Sequence, residues 1–186
     1  IFFADVQGHA NEAAILALAS RDIINGMGKG DFAPDAGMTR AQFAAVVVRA
    51  LGLSPKYSGS FSDVAADSWY GAYVDTAAAY GIVNGIGEGK FSPEGGISRE
   101  QAAAMAARAA KLCGLNPELG ATEIRDMLAQ FDDYIGVSVY ARGPLAFCYR
   151  ENILNQSDLT IRPADDILRA EIAQMLYNLL AAAELL

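Results

Sequence analysis

Three scarcities bound what this 186-residue chain can do. Histidine occurs once, at His9, and cysteine twice, at Cys113 and Cys148. Those few residues give no metal-like spacing and no base beside a serine or cysteine nucleophile, so no catalytic residue, metal or cofactor is expected. Positive charge is also short: 14 Lys and Arg against 22 Asp and Glu leave a formal charge of −8. A nucleic-acid partner needs a basic stripe, so none is expected. Long apolar runs are missing, and with them any membrane span. A basic leader followed by a cleavage site is missing too, so an exported protein would carry this sequence as a mature or excised segment of something larger. The two cysteines sit at unrelated positions and read either as buried free thiols or as a disulfide in an oxidising setting.

What is plentiful is patterned. Asn84–Gln101 reads NGIGEGKFSPEGGISREQ: a glycine turn (Gly85, Gly87, Gly89), then Phe91 and Pro93, then a glycine pair before an alanine-rich helical run. Ser98 and Gln101 form a capping box, in which the serine oxygen takes a free N–H of the first turn and the glutamine reaches back. Arg99 faces the positive end of the helix dipole, an unfavourable place for a cation. It is explained by an anion held between helix N-terminus and guanidinium, or else it is a solvated arginine that tolerates its position.

The pattern recurs. Asn25–Gln42 reads NGMGKGDFAPDAGMTRAQ, with Thr39 and Gln42 as the box, and Asn155–Glu171 reads NQSDLTIRPADDILRAE. The interval from proline to arginine is six each time: 34 to 40, 93 to 99, 163 to 169. Such self-similarity means a repeat architecture whose copies share a core. Each copy also has a first half: Phe3-Ala-Asp5-Val6, Phe61-Ser-Asp63-Val64 and Phe131-Asp-Asp133-Tyr134. Fifteen residues before the turn asparagine stand Ala10, Trp69 and Tyr140. The first copy thus lacks the large ring. Neither G-x-G-x-x-G, nor a P-loop, nor a calcium loop is present, and the carboxylate pairs Asp132-Asp133 and Asp165-Asp166 read as solvated turn residues.

Helices are expected over about residues 10–21, from Thr39 to about Leu51 with Gly52 ending it, over 99–112, and over Thr122–Gln130 with Thr122 as cap. Phe3–Val6 and Phe61 read as short extended entries, and 52–60 as a linker. Asp63 reads as a turn cap bonded to nearby N–H groups or as a ligand contact. Trp69 reads as a core filler or as a face for a sugar ring. His9 reads as a capping or surface group, or a ligand contact. The third turn lacks the glycines that permit positive φ, so a different shape and a weakened or lost site are expected there.

The order F-x-D-V, aromatic, G-I-x-N-G, G-x-F-x-P, then Ile/Met-Thr/Ser-Arg-Ala/Glu-Glu/Gln resembles the S-layer homology (SLH) motif, three times over, across nearly the whole chain. The resemblance implies an all-α fold: three helix-loop-helix repeats in one pseudo-threefold SLH-type bundle, with repeat one at 1–52, repeat two at 61–114, repeat three at 131–186 and an inserted helix at about 121–130. It also implies non-covalent anchoring of a larger extracellular surface protein to an anionic, often pyruvylated, cell-wall polysaccharide through grooves between motifs. On that reading Arg40, Arg99 and Arg169 pair with glycan carboxylates, Gly26 and Gly85 let the sugar approach backbone N–H groups, and Trp69, Tyr140, Asp5 and Asp63 complete the contacts. The charge of −8 opposes such a ligand globally, so attraction must come from arginines inside grooves. The alternatives are a protein-interaction or self-assembly module and a purely structural repeat.

Overall fold

The computed structural model describes residues 1–186, which form seven α-helices and no extended sheet. In chain order they are α1 (Glu12–Ala19), α2 (Arg40–Ala50), α3 (Gly71–Ala79), α4 (Arg99–Leu112), α5 (Ala121–Leu128), α6 (Val139–Arg150) and α7 (Arg169–Ala182). Each repeat contributes a first helix (α1, α3, α6) and a second one (α2, α4, α7), with α5 inserted between repeats two and three. The all-α expectation holds.

Local chemistry explains the boundaries. Thr39 Oγ1 accepts the Gln42 N–H (3.1 Å) and Gln42 Oε1 accepts the Thr39 N–H (3.0 Å), and Ser98 and Gln101 repeat the arrangement at α4. At α7 a leucine holds the cap position, and only the return half survives, Glu171 Oε2 accepting the Leu168 N–H (2.8 Å). His9 Nδ1 accepts the Asn11 N–H (3.0 Å) just before α1, so the histidine caps a turn. Gly52 follows α2 with φ +63°, the left-handed conformation that ends a helix. Two expectations need correcting. The inserted helix begins after Gly120, because the Ile124 N–H already donates to the Gly120 carbonyl (3.0 Å), and Thr122 lies inside its first turn. The entries are not extended either: Ala4–Val6 is a 3-10 turn and Val64 N–H bonds back to the Phe61 carbonyl (3.3 Å).

The repeats are interlocked. The first helix of each repeat packs on the second helix of the one before it: α3 on α2, α6 on α4 and, closing the circle, α1 on α7. Helix α4 is almost wholly buried, with Ala102, Ala103, Ala106, Ala109 and Ala110 at no exposure, so its small side chains set a close approach to α6 and α7. One continuous core runs from Phe3 to Leu180.

The backbone closes the same circle. Arg40 and Ala41 N–H donate to the carbonyls of Gly95 and Pro93 (2.8 and 3.0 Å). Arg99 and Glu100 N–H donate to Asp165 and Pro163 (2.9 and 3.0 Å), and Arg169 and Ala170 N–H donate to Ala36 and Pro34 (2.8 and 2.9 Å). The first-turn donors that every helix leaves unpaired are therefore satisfied by the next repeat's loop. Single antiparallel bridges, Thr39 with Gly96, Ser98 with Asp166 and Leu168 with Gly37, lie at the same three joints. The linker is equally tied: Asp75, buried in α3, accepts N–H groups of Ser58 (2.6 Å) and Gly59 (2.8 Å).

The glycine turns of repeats one and two share a shape. Gly28-Lys29-Gly30 and Gly87-Glu88-Gly89 all take positive φ, whereas none of Asn155–Thr160 does. The third turn is a residue shorter, six from asparagine to Ile161 (161 − 155) against seven to Phe32 or Phe91 (32 − 25, 91 − 84). Ser157 N–H folds back on Asn155 Oδ1 there (3.0 Å). The expected change of shape is present.

Gly26 and Gly85 are required by their own loops. A Cβ at Gly85 would lie 2.6 Å from the Lys90 carbonyl oxygen and 2.8 Å from the Phe61 ring, closer than any real contact. Gly85→Ala is therefore expected to lower stability by about 1–3 kcal/mol, the usual cost of overpacking. Gly37→Ala, with nothing within 4 Å of the new carbon, is expected to be neutral or slightly stabilising. Urea unfolding of the two variants checks the contrast.

Candidate functional site

Two of the three joints open into grooves, and each is built from all three repeats. In groove 1 the first turn (Asn25, Gly26) and α2 (Gln42, Arg49) meet Trp69 of repeat two and Arg169 of repeat three, around a volume of about 210 Å³. In groove 2 the second turn (Asn84, Gly85) and α4 (Gln101, Arg108) meet Tyr140 of repeat three and Arg40 of repeat one, around about 480 Å³. The two sets correspond position by position after one step around the ring.

The arginines of the repeat signature are not solvated: Arg40, Arg99 and Arg169 are only 7%, 8% and 3% exposed. Nor do they share an anion with a helix N-terminus, since the first-turn N–H groups are engaged with the neighbouring loop. Carbonyls take the anion's place. Arg40 Nε donates to Phe91 O (2.8 Å) and Nη2 to Asn84 O (2.7 Å). Arg169 does the same with Phe32 O (2.9 Å) and Asn25 O (2.7 Å). Each guanidinium also lies 4.6 Å from the centre of the ring whose carbonyl it grips, Phe91 or Phe32. Burial pulls both arginine pKa values below the ordinary one, with the carboxylates of Asp63 and Asp5 opposing. Nη1 of each has no partner in the chain, and no buried side-chain nitrogen or oxygen is left unpaired, so Nη1 opens to the groove. The Gly26 and Gly85 N–H groups likewise donate to nothing within the chain.

Trp69 and Tyr140 stand at the rims, 57% and 53% exposed, so Trp69 is no core filler. It meets the Tyr70 ring at a near right angle, with ring centres 5.4 Å apart, and most of its surface stays open to the groove mouth. Burial and the nearby Glu100 raise the Tyr140 pKa, against Arg108, so its hydroxyl stays protonated and able to donate. Neither groove is lined by a carboxylate. Two residues were missed in the sequence: Arg49 and Arg108, each nine after a signature arginine (49 − 40, 108 − 99), a recurrence that was there to be read.

A family model for the S-layer homology domain matches residues 2–44 and 60–103. The chain is 33% identical over 182 residues to an amylopullulanase of Thermoanaerobacterium thermosulfurigenes, covering 96% of this chain and 9% of that protein. It is 30% identical over 184 residues to exoglucanase XynX of Acetivibrio thermocellus, covering 97% and 16%. A surface layer protein of Brevibacillus choshinensis is 31% identical over 105 residues, 54% of this chain and 9% of that one. The chain belongs to the S-layer homology family. It spans less than a fifth of the length of these relatives. The S-layer homology domain is a non-catalytic anchoring module; this chain's place is the cell surface and its role is attachment to the cell wall. No helix is long and apolar enough to cross a membrane.

The third joint keeps the turn asparagine, Asn155, and its signature arginine, Arg99, but is altered elsewhere. Ala10 replaces the rim aromatic, and Asn178 stands where Arg49 and Arg108 stand (178 − 169 is again nine). Asn178 Nδ2 donates to Ile153 O (3.2 Å), as Arg108 Nη1 donates to Ile82 O (3.2 Å). Glu171 replaces the glutamine and forms an ion pair with Arg99, with Arg162 Nη2 3.6 Å away. Arg99, the arginine of the most complete copy, therefore belongs to the degraded joint, while Arg169 of the degraded copy completes groove 1. Both cysteines are free thiols, and burial drives the Cys148 pKa far up.

Asp5 and Asp63 line neither groove. Asp63 accepts the N–H groups of Phe91 and Ser92 (both 2.8 Å), Asp5 those of Phe32 (2.9 Å) and Ala33 (2.7 Å), and Asp133 those of Ile161 (2.7 Å) and Arg162 (2.8 Å). The partners are some 28 residues away, so the carboxylates clamp each repeat's halves together rather than cap a local turn. They hold the strained residue between phenylalanine or isoleucine and proline, with φ of 58° at Ala33 and Ser92 and 52° at Arg162. The Phe32 N–H above all lowers the Asp5 pKa, and at Asp63 burial pushes upward but the Phe91 and Ser92 N–H groups outweigh it. A depressed folded pKa contributes stability above the unfolded value of about 3.9 that is lost as pH falls through the folded one. Asp63→Asn is thus expected to melt below wild type at neutral pH, with the gap narrowing as pH drops under about 4. Circular-dichroism melts across that range test it, and a constant gap would count against the charged clamp.

Proposed function

We propose that grooves 1 and 2 bind acidic units of a secondary cell-wall polysaccharide, with a pyruvate-type carboxylate as the acid, and that the chain is the anchoring segment of a larger surface protein. The carrying observation is that a chain of charge −8 places two arginines, an exposed ring and no carboxylate at each of two grooves. A carboxylate there would meet the open Nη1 of Arg169 or Arg40 together with Arg49 or Arg108, charge-assisted bonds stronger than neutral ones. The free N–H of Gly26 or Gly85 would serve a second oxygen, and Trp69 or Tyr140 would take the C–H face of the ring. The local field thus runs opposite to the net charge. Two grooves on one polymer act by avidity, so neither site has to be strong alone.

The exposed Ile135 (77%) and Val139 (79%), beside α5, favour a second reading in which a protein partner binds there. Co-sedimentation with purified wall sacculi, before and after extraction of the polysaccharide, separates the two. Arg49→Ala/Arg108→Ala is expected to weaken binding by tenfold or more, about 1.4 kcal/mol per tenfold, and extraction to abolish it. Arg99→Ala is expected to cost stability, leaving the Ile161 carbonyl without its donor and Glu171 with Arg162 as its one remaining cation, yet to bind normally when folded. Binding that survives extraction would replace the glycan with a protein partner.

A further inference from the structure

Grooves 1 and 2 correspond residue by residue at the ring, but they end differently. Tyr73 and Pro144 occupy equivalent places, each eleven residues before the turn asparagine (84 − 73, 155 − 144). In groove 1 the Tyr73 ring lies 4.8 Å from the Arg49 guanidinium and covers it. In groove 2 a proline inside α6 stands there, beside Gly143, and no ring covers Arg108. The space left open continues as a trough of about 350 Å³ that shares Ala104, Arg108 and Tyr140 with groove 2. That is within the roughly 300–1,000 Å³ of small-ligand sites.

The far wall of the trough comes from the segment inserted between repeats two and three, which supplies Pro117, Glu118 and Leu119. That wall is held in place. Arg150 Nη2 donates to the Asn116 carbonyl (2.9 Å), and the Glu118 N–H donates to Asn116 Oδ1 (3.1 Å). The Leu115 N–H donates to the Ala110 carbonyl at the end of α4 (3.1 Å). The first linker instead runs along α3, tied down by Asp75, so groove 1 has no counterpart.

We infer that this trough is a second subsite of groove 2, which takes the uncharged sugar unit next to the acidic one on the same polysaccharide chain. The inference rests on the reading of groove 2 as a glycan site. Its chemistry differs from the groove proper: one cation, Lys111, and one carboxylate, Glu118, line the trough beyond Arg108. The pair offers a donor and an acceptor with no net charge, which suits hydroxyls. Ala107, Leu119 and Pro144 give the apolar surface that a pyranose C–H face needs. Tyr140, at the boundary, faces both subsites.

The test uses the 186-residue chain carrying Trp69→Ala, which disables groove 1 at an exposed position and leaves groove 2 as the reporter. Calorimetry compares two size-fractionated fragments of the wall polysaccharide: the shortest that carries the acid group, and one a sugar longer. The longer fragment is expected to bind about tenfold tighter. Lys111→Ala/Glu118→Ala is expected to erase that gain while leaving the short fragment unaffected. Pro144→Tyr, which sets a ring over Arg108 as Tyr73 does over Arg49, is expected to erase it as well. Equal affinity for the two fragments, or a gain that survives in both variants, overturns the second subsite alone. Failure of the short fragment to bind at all overturns the reading of groove 2 beneath it.

Discussion

Everything in this molecule depends on one handshake made three times. The first-turn N–H groups of a long helix, and the guanidinium that follows, bond to carbonyls on the next repeat's loop. A helix N-terminus has unpaired donors and a loop has unpaired acceptors, and each would be costly if buried alone. Joining them satisfies both and fixes how one repeat sits on the next. The constant interval from proline to arginine follows: the proline carbonyl accepts from the previous repeat, and six residues on the chain donates to the next.

The same bonds prepare the grooves. A guanidinium gripped by two carbonyls and resting on a phenylalanine ring has lost its freedom before any ligand arrives, so little entropy is left to lose on binding. Its remaining edge opens at a joint where three repeats meet. The aspartate clamps act one level below, holding each loop in the strained shape that presents those carbonyls. The structural and functional roles of the arginine are therefore two edges of one side chain. At the third joint the structural edge persists, since Arg99 still bonds to Ile161 O (2.9 Å), while Glu171 neutralises the other. That is how a repeat can lose a site and still close the ring.

Cyclic closure redistributes what each copy contributes. A groove draws its loop and helix from one repeat, its rim aromatic from the following one and its signature arginine from the preceding one. Damage in the third copy thus does not stay there, and a preserved arginine does not certify its own groove. The insertion adds asymmetry, because it lengthens one groove and leaves the other capped by Tyr73.

By itself the sequence determined the periodic parts. Capping boxes, the alanine-rich α4 and the threefold signature were legible because they depend on residues close in the chain, where propensity and hydrogen-bond reach decide. The altered third turn was legible for the same reason, since its missing glycines forbid positive φ locally. Which residues share a groove was not legible: Trp69 meets Arg169 across 100 residues (169 − 69) only because the ring closes. The anion expected at the helix N-terminus turned out to be carbonyl oxygen, because burial at the joint demands partners for donors that sequence reasoning leaves to solvent or ligand. The tertiary structure decided the pairing, and it did so through the need to satisfy buried polar groups across repeats.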